Sequence, residues 1–216
     1  MANDVFITVT NETDEFQNIV VFQQKDALNQ MFDKLFPIAW KVFPLNGKKE
    51  GQTKKGTTIY PVAQSIGVTR DPLVSDRLPY GTLNITCNAN NKDQFKYYLD
   101  DNGAQNIDLL PGKNDDESIS CVNGTSDLVA VAFCKNDAVL VTQTNVPNGD
   151  KAVFKLTPKL YFMYLNNIKE GQIFKSMQTG ENVNETELTG YSRINARLMY
   201  DPTVGGKKKM WVVDRS

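Results

Sequence analysis

Val5-Phe6-Ile7-Thr8-Val9-Thr10, the turn-forming Asn11-Glu12-Thr13-Asp14, and then Asn18-Ile19-Val20-Val21-Phe22-Gln23 are the residues whose reading decides the fold. In an extended chain Val5, Ile7 and Val9 share one face, and β-branched residues fill both runs, so the period is that of strands. The pair reads as a hairpin around an Asn-centred turn. The same punctuation runs outward along the chain. Segments of about five to nine β-branched and aromatic residues alternate with clusters of Asn, Asp, Gly and Pro. Extended runs fall at 57–70, 81–88, 94–99, 118–122, 128–134, 138–144, 152–157, 159–166, 171–177, 192–200 and 209–214. In the run from Ser192 to Tyr200, Ile194, Ala196, Leu198 and Tyr200 alternate with Arg193, Asn195, Arg197 and Met199, which predicts one apolar face.

One window departs from this period. Leu28, Met31, Phe32, Leu35 and Phe36 recur at helical spacing before Pro37, predicting a short helix near residues 27–36 that docks on a sheet. Ile38–Leu45 then resumes an extended pattern, and Pro44 places it near a sheet edge. About a dozen strands, one helix and no β-α-β alternation imply an all-β, antiparallel two-sheet β-sandwich spanning residues 1–216 as one domain. No repeat, linker or low-complexity segment divides the chain.

The 216 residues carry 24 Lys plus Arg against 25 Asp plus Glu, a net charge of −1, so no global field draws in nucleic acid. No apolar stretch approaches the length of a membrane helix, and the first residues do not read as a signal peptide, so a cytoplasmic location is expected. The three cysteines, Cys87, Cys121 and Cys134, are odd in number and lack CxxC spacing, which argues against a disulfide framework or a zinc site. Cys134 ends an apolar run and reads as a buried thiol. Asn-x-Thr triplets at Asn11, Asn84, Asn123 and Asn184 read as turns and strand ends.

The chain has no histidine, which removes Ser-His-Asp and Cys-His nucleophilic machinery and most zinc and copper sites. No catalytic motif is found and no enzyme is expected. A non-catalytic binding or self-assembling β-sandwich protein, with a lectin-like variant, is the favoured function, and its partners are carbohydrate or further copies of the chain. The ligand-site candidates are Tyr97 and Tyr98 with Asp100 and Asp101, because adjacent strand residues face opposite ways and acidic acceptors follow at the turn. Trp40 and Trp211 lie in apolar runs and read as core. Asn114, Asp115, Asp116 and Glu117 supply hard oxygen donors for calcium, although the spacing is not that of an EF-hand, and no other cofactor is expected.

Two lysine-rich loops, with Lys48, Lys49, Lys54 and Lys55 in one and Lys207, Lys208 and Lys209 in the other, would grip an anionic surface if they met. Charged turns that discourage edge-to-edge association are the competing account. These loops motivate the alternative of a membrane-active or toxin-like β protein. A carboxylate-dependent polysaccharide hydrolase, drawing on Asp100, Asp101 and Asp115–Glu117, is the third reading.

The opening FITVTNETDEFQNIVVFQQ with IAWKVFPLNGKKEGQ, and the later KLYFMYLNNIKEGQIFKSM and INARLMYDPTVGGKKKMWVV, resemble small bacterial β-sandwich proteins that include the rhizosphere-expressed protein of rhizobia. The resemblance covers the two ends of the chain. It implies a cytoplasmic β-sandwich without assigned catalysis, and it carries over no site residue.

Overall fold

The computed structural model describes residues 4–23, 35–48, 54–70, 83–136, 138–173, 182–204 and 206–216. Among these residues the chain forms seventeen strands and no helix, in four open sheets. The all-β reading holds. The two-sheet layout does not, and the helix finds no support. Most of its window lies outside the described residues, and its last two residues belong to β3 (Leu35–Pro37), which pairs with β12 (Ala138–Val146) through Gln143↔Leu35 and Val141↔Pro37. Tertiary pairing satisfies this backbone where local periodicity suggested an internal ladder.

Sheet I runs β17 (Lys209–Arg215), β16 (Arg193–Tyr200), β1 (Val5–Asn11), β5 (Lys55–Tyr60). Sheet II runs β15 (Asn184–Glu187), β14 (Lys159–Tyr164), β2 (Gln17–Phe22), β4 (Lys41–Leu45). The two face each other: Phe162 meets Trp211 at 6.0 Å between ring centroids, and a Cβ on Gly56 would lie 2.2 Å from Phe43 Cδ1. Val5, Ile7, Val9, Ile194, Ala196 and Leu198 point into this sandwich and are buried, so the alternation read from the sequence is realised.

Sheet III runs β9 (Gln105–Lys113), β8 (Asp93–Leu99), β10 (Ile119–Asn123), β13 (Lys151–Phe154). Sheet IV runs β7 (Ile85–Ala89), β6 (Gln64–Thr69), β11 (Val129–Lys135), β12, β3. Phe133 of β11 and Phe154 of β13, 6.1 Å apart, join them into a second sandwich. One hydrophobic cluster contains buried residues from all four sheets, so the core is continuous between the sandwiches.

The order 17-16-1-5 repeats as 9-8-10-13, and 15-14-2-4 repeats as 7-6-11-12. In both copies an inner strand has a parallel partner, β1 with β16 and β10 with β8. The strand order is therefore duplicated within the molecule, a repeat of topology that the sequence did not disclose, and the parallel pairs correct the expectation of purely antiparallel sheets. The halves interleave. The first sandwich takes β1, β2, β4 and β5 from the first half and β14–β17 from the second, whereas the second sandwich is built from β6–β13 with β3 added at its edge.

The expected β1–β2 hairpin is also corrected. The chain crosses from sheet I to sheet II at Asn11, so these strands face each other across the core instead of pairing. Asn11 Nδ2 donates to the carbonyls of Glu15, Leu45 and Asn46 at 2.8, 3.2 and 3.1 Å, and its Oδ1 accepts from Thr13 N and Oγ1 at 3.1 and 2.7 Å. Asn123 does the same between β10 and β11. Its Nδ2 donates to Asp127 and Val146 carbonyls at 2.7 and 2.9 Å, and Oδ1 accepts from Thr125 N and Oγ1 at 2.9 and 2.8 Å. Both side chains are fully buried, and a buried amide requires this saturation.

Candidate ligand cleft between the sandwiches

Two crossovers pass between the sandwiches: residues 61–63 carry β5 into β6, and residues 155–158 carry β13 into β14. They border a cleft of about 900 Å³. Its apolar wall includes Val5, Ile119, Phe133, Phe154, Leu156 and Leu188, and its polar groups include Gln23, Tyr60, Gln64, Asn90, Asn91 and Lys135.

The duplication places Gln23 and Lys135 at equivalent positions, each just after or at the end of the buried inner strand that follows a crossing Asn. Gln23 Nε2 donates to the carbonyl of Thr157 at 2.6 Å, and Lys135 Nζ donates to the carbonyl of Val62 at 2.8 Å. Each therefore ties its own strand to one crossover. Tyr60 links the two positions: its hydroxyl donates to Gln23 Oε1 at 2.8 Å, and the Lys135 ammonium stands 5.1 Å from its ring centroid. Trp40 supports this group from behind, edge-on to Tyr60 at 5.4 Å and donating Nε1–H to the Lys135 carbonyl at 3.4 Å.

Lys135 is 6% exposed, and among the described residues no carboxylate forms an ion pair with it. Burial pulls its amine down to about 8, and the field of Asp4 partly opposes that shift. Asp4 and Lys135 meet the backbone of one residue: Asp4 Oδ1 accepts from Val62 N at 2.8 Å, and the Val62 carbonyl receives Lys135. Burial also pushes the Tyr60 hydroxyl far up, so it stays protonated and remains a donor.

Of the residues singled out in the sequence as ligand, metal or surface contacts, Glu117 lines the cleft and the others lie elsewhere. Tyr97 is fully buried, with its hydroxyl on Gln105 Oε1 at 2.9 Å, whereas Tyr98 is half-exposed and donates to Asp108 at 2.8 Å. Asp100 shapes the β8–β9 turn by accepting from Asn102 N and Ala104 N, both at 2.9 Å, and Asp101 is exposed beside it.

Asn114 bonds the carbonyls of Asp93 and Ser118, and hydrogen bonds from Ser118, together with Lys155, hold Asp116 down to about 2. Glu117 pairs with Lys92 at 3.2 Å, and Asp115 is exposed. Among the described residues no three acidic or thiol side chains gather as metal ligands.

The lysine-rich loops converge on the Asn11 crossing. Lys48 N donates to the Thr13 carbonyl at 2.6 Å, Lys207 pairs with Asp14 at 3.0 Å, and Lys209 pairs with Glu15 at 2.7 Å. Lys54 is half-buried, Lys55 and Lys208 are exposed, and Lys49 lies outside the described residues.

Sequence reasoning missed Gln23 and Lys135. The available signal was the matching pattern Asn-x-Thr, an acidic residue, then a buried run closed by a polar residue, present at 11–23 and at 123–135. No helix among the described residues is long and apolar enough to cross a membrane. No protein-family model matches the sequence, and no curated protein matches it.

Proposed function

We propose that the protein is a non-catalytic binding protein whose ligand enters the cleft between the two sandwiches. The observation that carries this reading is the buried trio Gln23, Tyr60 and Lys135, held by both crossovers on the wall of a space of about 900 Å³ that also has an apolar side. An apolar concavity with a few converging polar groups is the usual form of a small-molecule site. The segments that resemble the rhizobial β-sandwich proteins supply strands of the first sandwich, so that resemblance supports a shared sandwich and leaves the ligand to be read from the cleft.

The test is a thermal-shift screen of small organic ligands against the wild type and Ala63→Trp, a substitution at an exposed position on the cleft wall. Ligands that stabilise the wild type and lose their effect in the variant support the reading. Stabilisation that persists undiminished in the variant opposes it.

Self-association is a second reading, favoured by one observation. Phe6 and Ile59 are cross-strand neighbours on the outer face of sheet I, 53% and 43% exposed, and β5 ends that sheet. A concentration-dependent mass in light scattering that Phe6→Ser abolishes is the expected result.

A further inference from the structure

We infer that the cleft takes a small organic anion, with a carboxylate on the Lys135 ammonium and an apolar body along Phe133, Phe154 and Leu156. This inference rests on the cleft reading above and names the class of ligand.

An ammonium has three N–H donors. One is held by the Val62 carbonyl and the charge lies over the Tyr60 ring, which leaves donor capacity unmatched among the described residues. A buried cation without a counterion is costly, and an arriving anion relieves that cost while a neutral or cationic ligand does not.

The surrounding charges do not fill this role. Asp4 is engaged by the N–H of Val62, the residue whose carbonyl receives Lys135, and Glu117, the one carboxylate among the described residues that lines the cleft, pairs with Lys92 and accepts from Asn91 Nδ2 at 3.2 Å. Tyr60 donates to Gln23, and the Tyr191 ring faces the Arg215 guanidinium at 5.0 Å. The carboxylate end is thus set by Lys135, and the wall formed by Phe133, Phe154 and Leu156 offers an apolar body no hydrogen-bonding competition. Because the amine lies near 8, the site is charged at neutral pH and loses its charge in mildly alkaline solution.

The experiment is calorimetric titration with octanoate and with octanol on the wild type, Lys135→Met and Lys135→Arg. Near-UV circular dichroism confirms that each variant is folded. Octanoate is expected to bind the wild type better than octanol, and Lys135→Met to weaken octanoate roughly tenfold or more while leaving octanol unchanged, the scale of one charge-assisted hydrogen bond. Wild-type affinity for octanoate falls as pH rises past about 8, whereas Lys135→Arg keeps its affinity there.

Equal binding of octanoate and octanol, or octanoate binding indifferent to Lys135→Met, overturns the anion assignment and leaves the cleft reading standing. Absence of binding by both overturns the anion assignment and counts against the cleft as well.

Discussion

Asn11 and Asn123 hold the two crossings between facing sheets with matching hydrogen bonds, each fully buried and each saturated at both ends of its amide. Replacing either with Ala leaves several backbone groups without partners at a place water cannot reach. Asn11→Ala and Asn123→Ala are each expected to lower stability by roughly 2–4 kcal/mol in urea denaturation. Thr13→Ala and Thr125→Ala, which remove one hydroxyl each, should cost about 1 kcal/mol.

The interleaved halves predict that the chain survives a cut. Asp115 and Asp116 lie in the exposed loop that joins the halves, and each half contributes strands to all four sheets. A protease site placed there should yield two fragments on a denaturing gel but one intact-sized species in size-exclusion chromatography. Separation of the fragments without denaturant would contradict the interleaving.

Lys135 makes stability depend on alkaline pH. Its amine titrates lower in the folded protein than in the unfolded chain, so between about 8 and the ordinary lysine value the unfolded state holds more protons and stability rises with pH. Lys135→Met has no such rise. The difference between wild-type and variant stability should therefore narrow or reverse by roughly 1–3 kcal/mol from pH 7 to pH 10, measured by urea denaturation at each pH.

Asp93 provides the acid counterpart. Burial alone would raise its carboxyl, but Lys113 and the backbone N–H of Asn90 at 2.8 Å hold it below the ordinary value. The stabilisation is present at neutral pH and disappears as pH falls through the carboxylate range. Lys113→Met should destabilise the protein by about 1–3 kcal/mol, since the half-exposed lysine is partly screened, and should shift acid unfolding to higher pH. Circular dichroism across pH 2–6 checks the shift.

The strands were legible because Ile194, Ala196 and Leu198, or Val5, Ile7 and Val9, declare a buried face by alternation alone. Their partners were not. Asn11 and Asn123 look the same in sequence whether the next strand pairs with its predecessor or crosses to face it, and only the burial of both flanking strands separates a hairpin from an arch. Phe36 shows the reverse failure, a residue at helical spacing that the β12 edge draws into a strand. The candidate cleft was illegible for a different reason: Gln23, Tyr60 and Lys135 come from three distant segments, and Lys135 is an ordinary charged residue until the fold removes it from water.

The placement of β1 also constrains how the protein is made. On a ribosome, Val5, Ile7 and Val9 emerge early, but their parallel partner β16 begins at Arg193. The second sandwich, contiguous from Gln64 to Phe154 apart from β3, can close while the opening strands still wait with an uncovered face. Vectorial synthesis therefore builds this fold from the middle outward, and β1, made before the second sandwich, is among the last strands to be enclosed.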